Sequence, residues 1–511
     1  MYQRFSCLDS HLEVKKALDS LINIDIDNLE PDQMILFDQI GKYLNNGKMA
    51  DVIKDLKPDN MLYCLNSHLD QITKSLFGKT GQKLIYSFEY NAVIVPPKEN
   101  KPKDLKFLIP EVKEMYERAH MVIVSLASAL ISDTIYIVGD GNLDSVFLDT
   151  IYYHVEEFYF PKSMGNLLNI AFTFLNSSND QFSAVVHEKF NTTFLTKTLS
   201  NINSRIARSI TSDNEVDESI LPSLVACLKM ILYSISRYPK DIEKIDMVAL
   251  IHEYAFDFAW MSRYPELCIL LCKTIVELFN GRNLVYPDFY ILQYPAFVST
   301  LLKSDVMDVR TNAFEVVGKI NAVNCYRFPL NFSEFLSPIK YFKEEYDTRY
   351  LKASLSACKS FLVNKRYAEF AHKQITENIE PLKYFYQWCN LSVKKSLIEL
   401  FKAYLNCFRK LRITKLEPFK EAINTVTFLS IDLAESIEKQ AKVQIIQCLY
   451  KFCSFISTGI NDEVDPLHEI LSFLILNLIY SRDKEIRNFS SSFTVMLPEL
   501  TSPQQQGQEI Q

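Results

Sequence analysis

An all-α chain built from stacked helix pairs is the fold class this sequence predicts, on three observations. Glycine is scarce, at 11 in 511 residues, against about 7% in an average chain. Nucleotide-binding α/β folds and barrels need glycine at phosphate loops and tight turns. A chain this poor in glycine reads as helices joined by short polar turns. Next, apolar residues recur at helical spacing. Leu267, Leu270, Leu271, Ile275 and Leu278 stand at offsets 0, 3, 4, 8 and 11, one face of a helix. Finally, such stripes return at a fixed interval. They start at Phe182, Leu224, Leu267, Val309, Leu351 and Val393, in steps of 42, 43, 42, 42 and 42 residues. Later stripes start at Val443 and Ile486, after steps of 50 and 43; the longer step spans Arg412 to Glu421, where Pro418 marks an extended turn. An interval of this size holds two helices of about 15 residues and two turns.

Taken in order, residues 1–77 read as a helical region, with Leu12, Ala17, Leu18 and Leu21, then Met34, Ile35, Ile40 and Leu44, at helical spacing. Residues 78–110 differ. They hold Gly78, Gly81, Pro96, Pro97, Pro102 and Pro110 around a β-rich core from Leu84 to Val95, which reads as a loop or hairpin insertion. Residues 111–180 read as helical, with divergent repeats. Residues 181–500 carry the periodic stripes. The glutamine-rich tail, 501–511, is expected to be disordered.

The totals exclude several classes. Hydrophobic residues make up 48% and charged residues 23%, so the chain is globular with a large core. The net charge of -7, from 55 basic and 62 acidic residues, argues against nucleic-acid binding by the whole chain. Eleven cysteines are scattered without a Cys-x-x-Cys pair, as expected of reduced core thiols in a cytoplasmic or nuclear protein. The first residues form no apolar signal region. The apolar stretches Met121 to Ile131 and Ile470 to Tyr480 are shorter than the roughly 20 residues a membrane span needs.

Motifs for chemistry are incomplete. Gly78-Lys79-Thr80 ends like a phosphate loop, but Thr73 stands where the first glycine is required. Asp140-Gly141-Asn142-Leu143-Asp144 begins like a calcium loop, but Ser145 and Ile151 occupy the required glycine and glutamate positions. His154 beside Glu156 and Glu157, and His252 beside Glu253, each lack the second histidine of a metal-binding helix face. No Gly-x-Ser-x-Gly elbow or kinase signature is present. The expectation is therefore no catalytic, cofactor-binding or metal-binding residue, and no enzyme.

One segment carries a family likeness. Leu301 and Leu302 close a helix, Ser304 and Asp305 turn, and Val309-Arg310 opens a second helix with the small Ala313 at a helix–helix approach. This pattern resembles the second half of a HEAT repeat. Leu478 to Arg487 repeats it, with Asp483, Ile486 and Arg487 in the matching places and Ser490 at the small position. Other units depart from it: Leu355 and Leu397 sit at the small position, and Lys394 replaces the arginine. The resemblance to HEAT/armadillo-like proteins covers roughly residues 180 to 500. It implies a right-handed α-solenoid, with Arg310 bonded to acidic groups in a neighbouring repeat's turn. It also implies a protein-binding scaffold or adaptor. Alternatives are a nuclear transport receptor-like protein, for which the array is short, or a regulatory or structural subunit of an enzyme complex. An RNA-binding helical repeat is a further rival, disfavoured by the acidic balance.

The candidate docking surface is a basic ridge. Lys395, Lys402 and Arg409 recur at seven-residue steps opposite the stripe Val393, Leu397, Leu400 and Tyr404, and Lys410, Arg412, Lys415 and Lys420 follow. Such a ridge suits an acidic or phosphorylated segment of a partner protein. The aromatic clusters Tyr384-Phe385-Tyr386 and Asp288-Phe289-Tyr290 are expected to be mainly core, with interface anchors as the alternative.

Overall fold

The computed structural model describes residues 2–26, 29–45, 58–77, 85–87, 92–94, 110–132, 142–157, 160–177, 180–213, 218–239, 263–280, 294–323, 331–343, 345–413, 416–457 and 466–488. The tail, the Gly78-Lys79-Thr80 turn, His252, the Asp288-Phe289-Tyr290 cluster, Lys415 and Ser490 lie outside these residues. The chain divides into two compact units, Met1–Tyr254 and Ala255–Gln511. Both are helical. Among the described residues the one sheet is a short antiparallel hairpin of β1 (Ile85–Ser87) and β2 (Ala92–Ile94), with Tyr86 opposite Val93.

In the first unit the helices are α1 (Tyr2–Ile22), α2 (Met34–Asn45), α3 (Pro58–Phe77), α4 (Pro110–Ser132), α5 (Asn142–Glu157), α6 (Met164–Leu175), α7 (Asp180–Lys189), α8 (Thr192–Asp213) and α9 (Leu221–Arg237). They alternate between two layers. α2, α4, α6 and α9 pack in sequence as one layer, while α1, α3 and α5 form the other. α8 extends that second layer: its Phe194 stacks on Tyr152 of α5 with ring centroids 4.8 Å apart. Each helix buries one apolar stripe against its partner and its row neighbours, the economy of stacked repeats. The closest approach is at Gly165 of α6, where an added Cβ would stand 2.9 Å from the Pro222 carbonyl carbon of α9. The stretch Glu218–Arg237 is long and apolar enough by composition to cross a membrane. Here α9 packs against α6 and α8, and Leu224, Cys227, Leu228 and Ile231 are buried.

The second unit holds α10 (Pro265–Leu278), α11 (Tyr294–Leu302), α12 (Met307–Val323), α13 (Phe332–Lys340), α14 (Thr348–Val363), α15 (Ala368–Glu377), α16 (Ile379–Trp388), α17 (Leu391–Leu411), α18 (Lys420–Ser436), α19 (Lys439–Ser457) and α20 (Pro466–Ile479). The second helices of each pair, α10, α12, α14, α17 and α19, pack side by side in that order. The first helices α13, α16, α18 and α20 form the facing layer, and α11 covers α12. The stripes beginning at Leu267, Val309, Leu351, Val393 and Val443 all fall on the second-helix layer, and Ile486 opens the next helical turn. This is a HEAT/armadillo-like α-solenoid. A seam of rings ties the pairs together: Phe314 to Phe335 at 5.7 Å, Phe335 to Phe361 at 5.1 Å, and Phe408 to Phe452 at 5.7 Å.

Local chemistry sets the helix starts. Asp347 accepts from Arg349 N at 3.2 Å, Asn390 from Val393 N at 3.0 Å, and Asp483 from Glu485 N at 2.7 Å. Each satisfies backbone donors that a first turn leaves open. The break between α15 and α16 is at Asn378, whose side chain donates to Gln374 O at 2.8 Å. Pro381, three residues on, has no N–H for the carbonyl of Glu377.

Candidate protein-docking groove

The second-helix layer of the second unit carries the charged groups singled out from sequence. Their carrier is α17, whose buried face (Val393, Leu397, Leu400, Phe401, Tyr404) orients Lys395, Lys402 and Arg409 away from the core. The three do not act as a uniform ridge. Lys395 stands 3.9 Å from Glu438, at the entry to α19. Lys402 donates to Glu399 at 2.7 Å, and Glu399 also accepts from Lys359 of α14 at 3.0 Å. Partial burial pushes the Glu399 carboxyl up, but the hydrogen bonds from Lys402 and Lys359 outweigh it and hold the group below its usual value. Arg409 and Lys410 are exposed, and among the described residues no carboxylate pairs with either. Arg412 is the left-handed C-cap of α17, at φ 54°.

Of these groups Lys402, Arg409 and Lys410, but not Lys395 or Arg412, line a cavity of about 340 Å³ between α17 and α19. Lys402, Arg409, Lys410 and Lys451 supply cations, and Asn406, Gln444 and Gln447 supply amides. Cys448 lies at its base; burial pushes that thiol up to about 11, so it is protonated at neutral pH. Among the described residues no carboxylate lines the cavity. A second cavity, of about 370 Å³, lies on the same layer, against α10, α12 and α14. Val276 and Val363 give it apolar walls, Gly318 leaves its floor open, and Glu315, Lys319 and Lys359 rim it. Lys359 and Lys402 belong to different cavities and meet on the same Glu399 carboxylate. The two cavities thus lie on either side of the contact between α14 and α17.

Lys395, Lys402 and Arg409 were legible from seven-residue spacing; Lys451, Gln444 and Gln447 were missed. They lie one repeat further on, at steps of 42 to 49 from Lys402, so reading across the repeat, as well as along one helix, would have found them.

The repeat positions fall in the core or its turns. Val309 and Ala313 are buried, as is Ile486, while Asp305 is exposed in the turn where Ser304 Oγ accepts from Val306 N at 3.2 Å. Arg310 does not bond to an acidic group of the neighbouring repeat, as the resemblance implied. Its guanidinium lies over the Tyr350 ring at 5.6 Å, a cation–π contact across the pair interface. The acidic link is made instead by Arg349, which donates to both Glu315 oxygens at 3.1 Å. Arg487 turns back on its own repeat and donates to the carbonyls of Ser481 and Arg482 at 2.7 Å. In the Tyr384-Phe385-Tyr386 cluster, Phe385 and Tyr386 are buried, whereas Tyr384 is exposed and packs on exposed Trp388 with ring centroids 6.0 Å apart.

The most perturbed titratable groups are in the interior. Thr73 Oγ1 donates to Leu69 O at 2.8 Å and so accepts from His154 Nε2 at 2.9 Å. His154 Nδ1 in turn accepts from His120 Nε2 at 3.0 Å. Burial lowers both imidazoles, His154 to about 4 against a partial pull upward from Asp70. His120 stacks on Phe160 at 3.8 Å. The chain joins α3, α4 and α5 as a buried polar clasp. Among the described residues no group of three or more His, Cys, Asp or Glu side chains is arranged to hold a metal ion.

No family model matches the chain, and no curated protein matches it in sequence. Among solved structures, an engineered protein is similar at 10% identity and TM-score 0.41, over 90% of this chain and 98% of that one. A homology model of the full-length AP-3 complex in an intermediate open conformation gives 12% identity and TM-score 0.30, over 94% and 84%. The Pds5–Scc1 complex gives 11% and 0.24, over 96% and 86%.

Proposed function

We propose that the chain is a non-catalytic scaffold that docks an acidic or phosphate-bearing segment of a partner protein on the second-helix layer of its second unit. One observation carries this reading: the cavity between α17 and α19 gathers three amides and, beside the Glu399-paired Lys402, the cations Arg409, Lys410 and Lys451, with no lining carboxylate among the described residues. Other cations on this layer are matched in Arg349–Glu315, Lys359–Glu399 and Lys442–Asp483. A concentration of unneutralised charge in a walled groove attracts and orients an anionic partner.

Affinity capture with the full chain, read by mass spectrometry against the Lys402→Glu/Arg409→Glu/Lys410→Glu variant, tests it. Proteins recovered with the wild type should be lost with the variant while its far-UV circular dichroism stays unchanged. Equal recovery by the two would remove the groove from the function.

A further inference from the structure

We infer that the groove takes an extended phosphorylated segment with two anchors: a phosphorylated side chain between α17 and α19, and a large apolar side chain between α12 and α14. The inference rests on the scaffold reading and specifies its ligand.

The anion cavity is suited to phosphate more than to a carboxylate run. Lys395 is drawn to Glu438 and Lys402 is shared with Glu399, so the free charge is not spread along α17. It converges from Arg409, Lys410 and Lys451 on one volume of about 340 Å³. A phosphoryl group concentrates a charge of about −1.5 to −2 and three acceptor oxygens at one point. Asn406, Gln444 and Gln447 add neutral N–H donors for those oxygens. A single side-chain carboxylate brings half the charge and fewer acceptors.

The second cavity complements this with apolar walls. Val363 is 37% exposed and Val276 half-buried, and the alkyl stems of Lys319 and Lys359 extend the surface. Gly318 matters here: a Cβ would meet Ser356 Oγ at 3.1 Å and fill the floor. Between the cavities Lys359 and Lys402 share the one Glu399 carboxylate, which offsets part of their charge. Both cations of that stretch are already engaged, so the linker needs no charged anchor of its own. Neighbouring helices stand about 10 Å apart, so the cavities lie two helix spacings, roughly 20 Å, from each other. An extended chain advances about 3.3 Å per residue, which separates the anchors by about six residues.

The test is fluorescence anisotropy of the full chain with labelled Gly/Ser peptides carrying one Leu and one phosphoserine. The spacing of about six should bind at least ~10-fold tighter than spacings of about three or twelve, and than the unphosphorylated peptide. Arg409→Glu/Lys410→Glu should abolish the phosphate dependence. Val363→Asp, at an exposed site, should remove the gain from Leu while keeping that from phosphate. Binding that ignores phosphate or spacing, or preference for a Glu-rich peptide, single-stranded RNA or anionic vesicles, overturns the inference. If the peptides fail while lysate partners still depend on the basic residues, the two-anchor ligand falls and the scaffold reading stands. If both fail, both fall.

Discussion

At the scale of single residues, two glycines in helix interfaces separate a steric requirement from a tolerated vacancy. At Gly165 a methyl group would press within 2.9 to 3.0 Å of Pro222 and Ser223 backbone, which cannot rotate away. Gly165→Ala should destabilise the first unit by about 1–3 kcal/mol through overpacking. At Gly318 the nearest atom is the Ser356 hydroxyl, at 3.1 Å, with backbone no nearer than 3.6 Å. That hydroxyl can turn, and alanine relieves a mid-helix glycine penalty of about 1 kcal/mol. Gly318→Ala should therefore unfold within about 1 kcal/mol of the wild type, in either direction. Urea denaturation of both variants checks the contrast. The residue scale is also where sequence reading of the groove stopped. Seven-residue spacing placed Lys395, Lys402 and Arg409 on one face, yet charge pairing depends on Glu399, Glu438 and Lys359. Of these, two come from outside α17, so spacing within the helix could not reveal which cations stay free.

At the scale of elements, the solenoid was legible where the apolar stripe returns on successive row neighbours. From Leu267 to Val393 the steps are 42 residues each, and each step joins two helices that are row neighbours. In the first unit the same alternation exists but its period is broken. Residues 78–109 separate α3 from α4, and α7 is interposed between α6 and α8. The Phe182 stripe is on α7, which packs onto α6, and the row neighbour of α9 is α6; the 42-residue step from Phe182 to Leu224 therefore joins helices that are not row neighbours. The turns before the second helices were legible at Ser304-Asp305 and at Asp483, while the caps Asp347 and Asn390 recur at the same place in the period without being singled out. Asn390 caps Val393 N and its Nδ2 donates to Thr348 Oγ1 of α14 at 2.8 Å. Asn390→Ala should cost about 1 kcal/mol from the cap and loosen the contact between pairs. Hydrogen exchange in the first turn of α17 should accelerate, with the last turn unaffected; uniform acceleration along α17 would count against a local cap.

At the scale of the whole molecule, each unit encloses an imidazole that folding keeps neutral, which makes acid a common solvent of both. In the first unit it is the His120–His154–Thr73 clasp. In the second it is His372, stacked on Tyr404 at 4.3 Å and enclosed by Phe408 and Phe419. Burial lowers His154 and His372 to about 4 each. Above about pH 6.5, the ordinary histidine value, folded and unfolded chains both carry neutral imidazole and the contribution is complete. Below it the unfolded chain takes up a proton that the native fold refuses until about pH 4. Stability is therefore lost as pH falls through that window, by on the order of 3 kcal/mol for each of the two groups. Helical circular dichroism during urea titration should give midpoints that decline steadily from pH 7 to pH 4. His372→Phe separates the units: phenylalanine fits the ring stack and cannot be charged, so the second unit should lose its share of the decline while the first keeps its own. Parallel slopes for variant and wild type would mean that His372 takes up its proton in the native fold as readily as in the unfolded chain, and that its aromatic enclosure admits water.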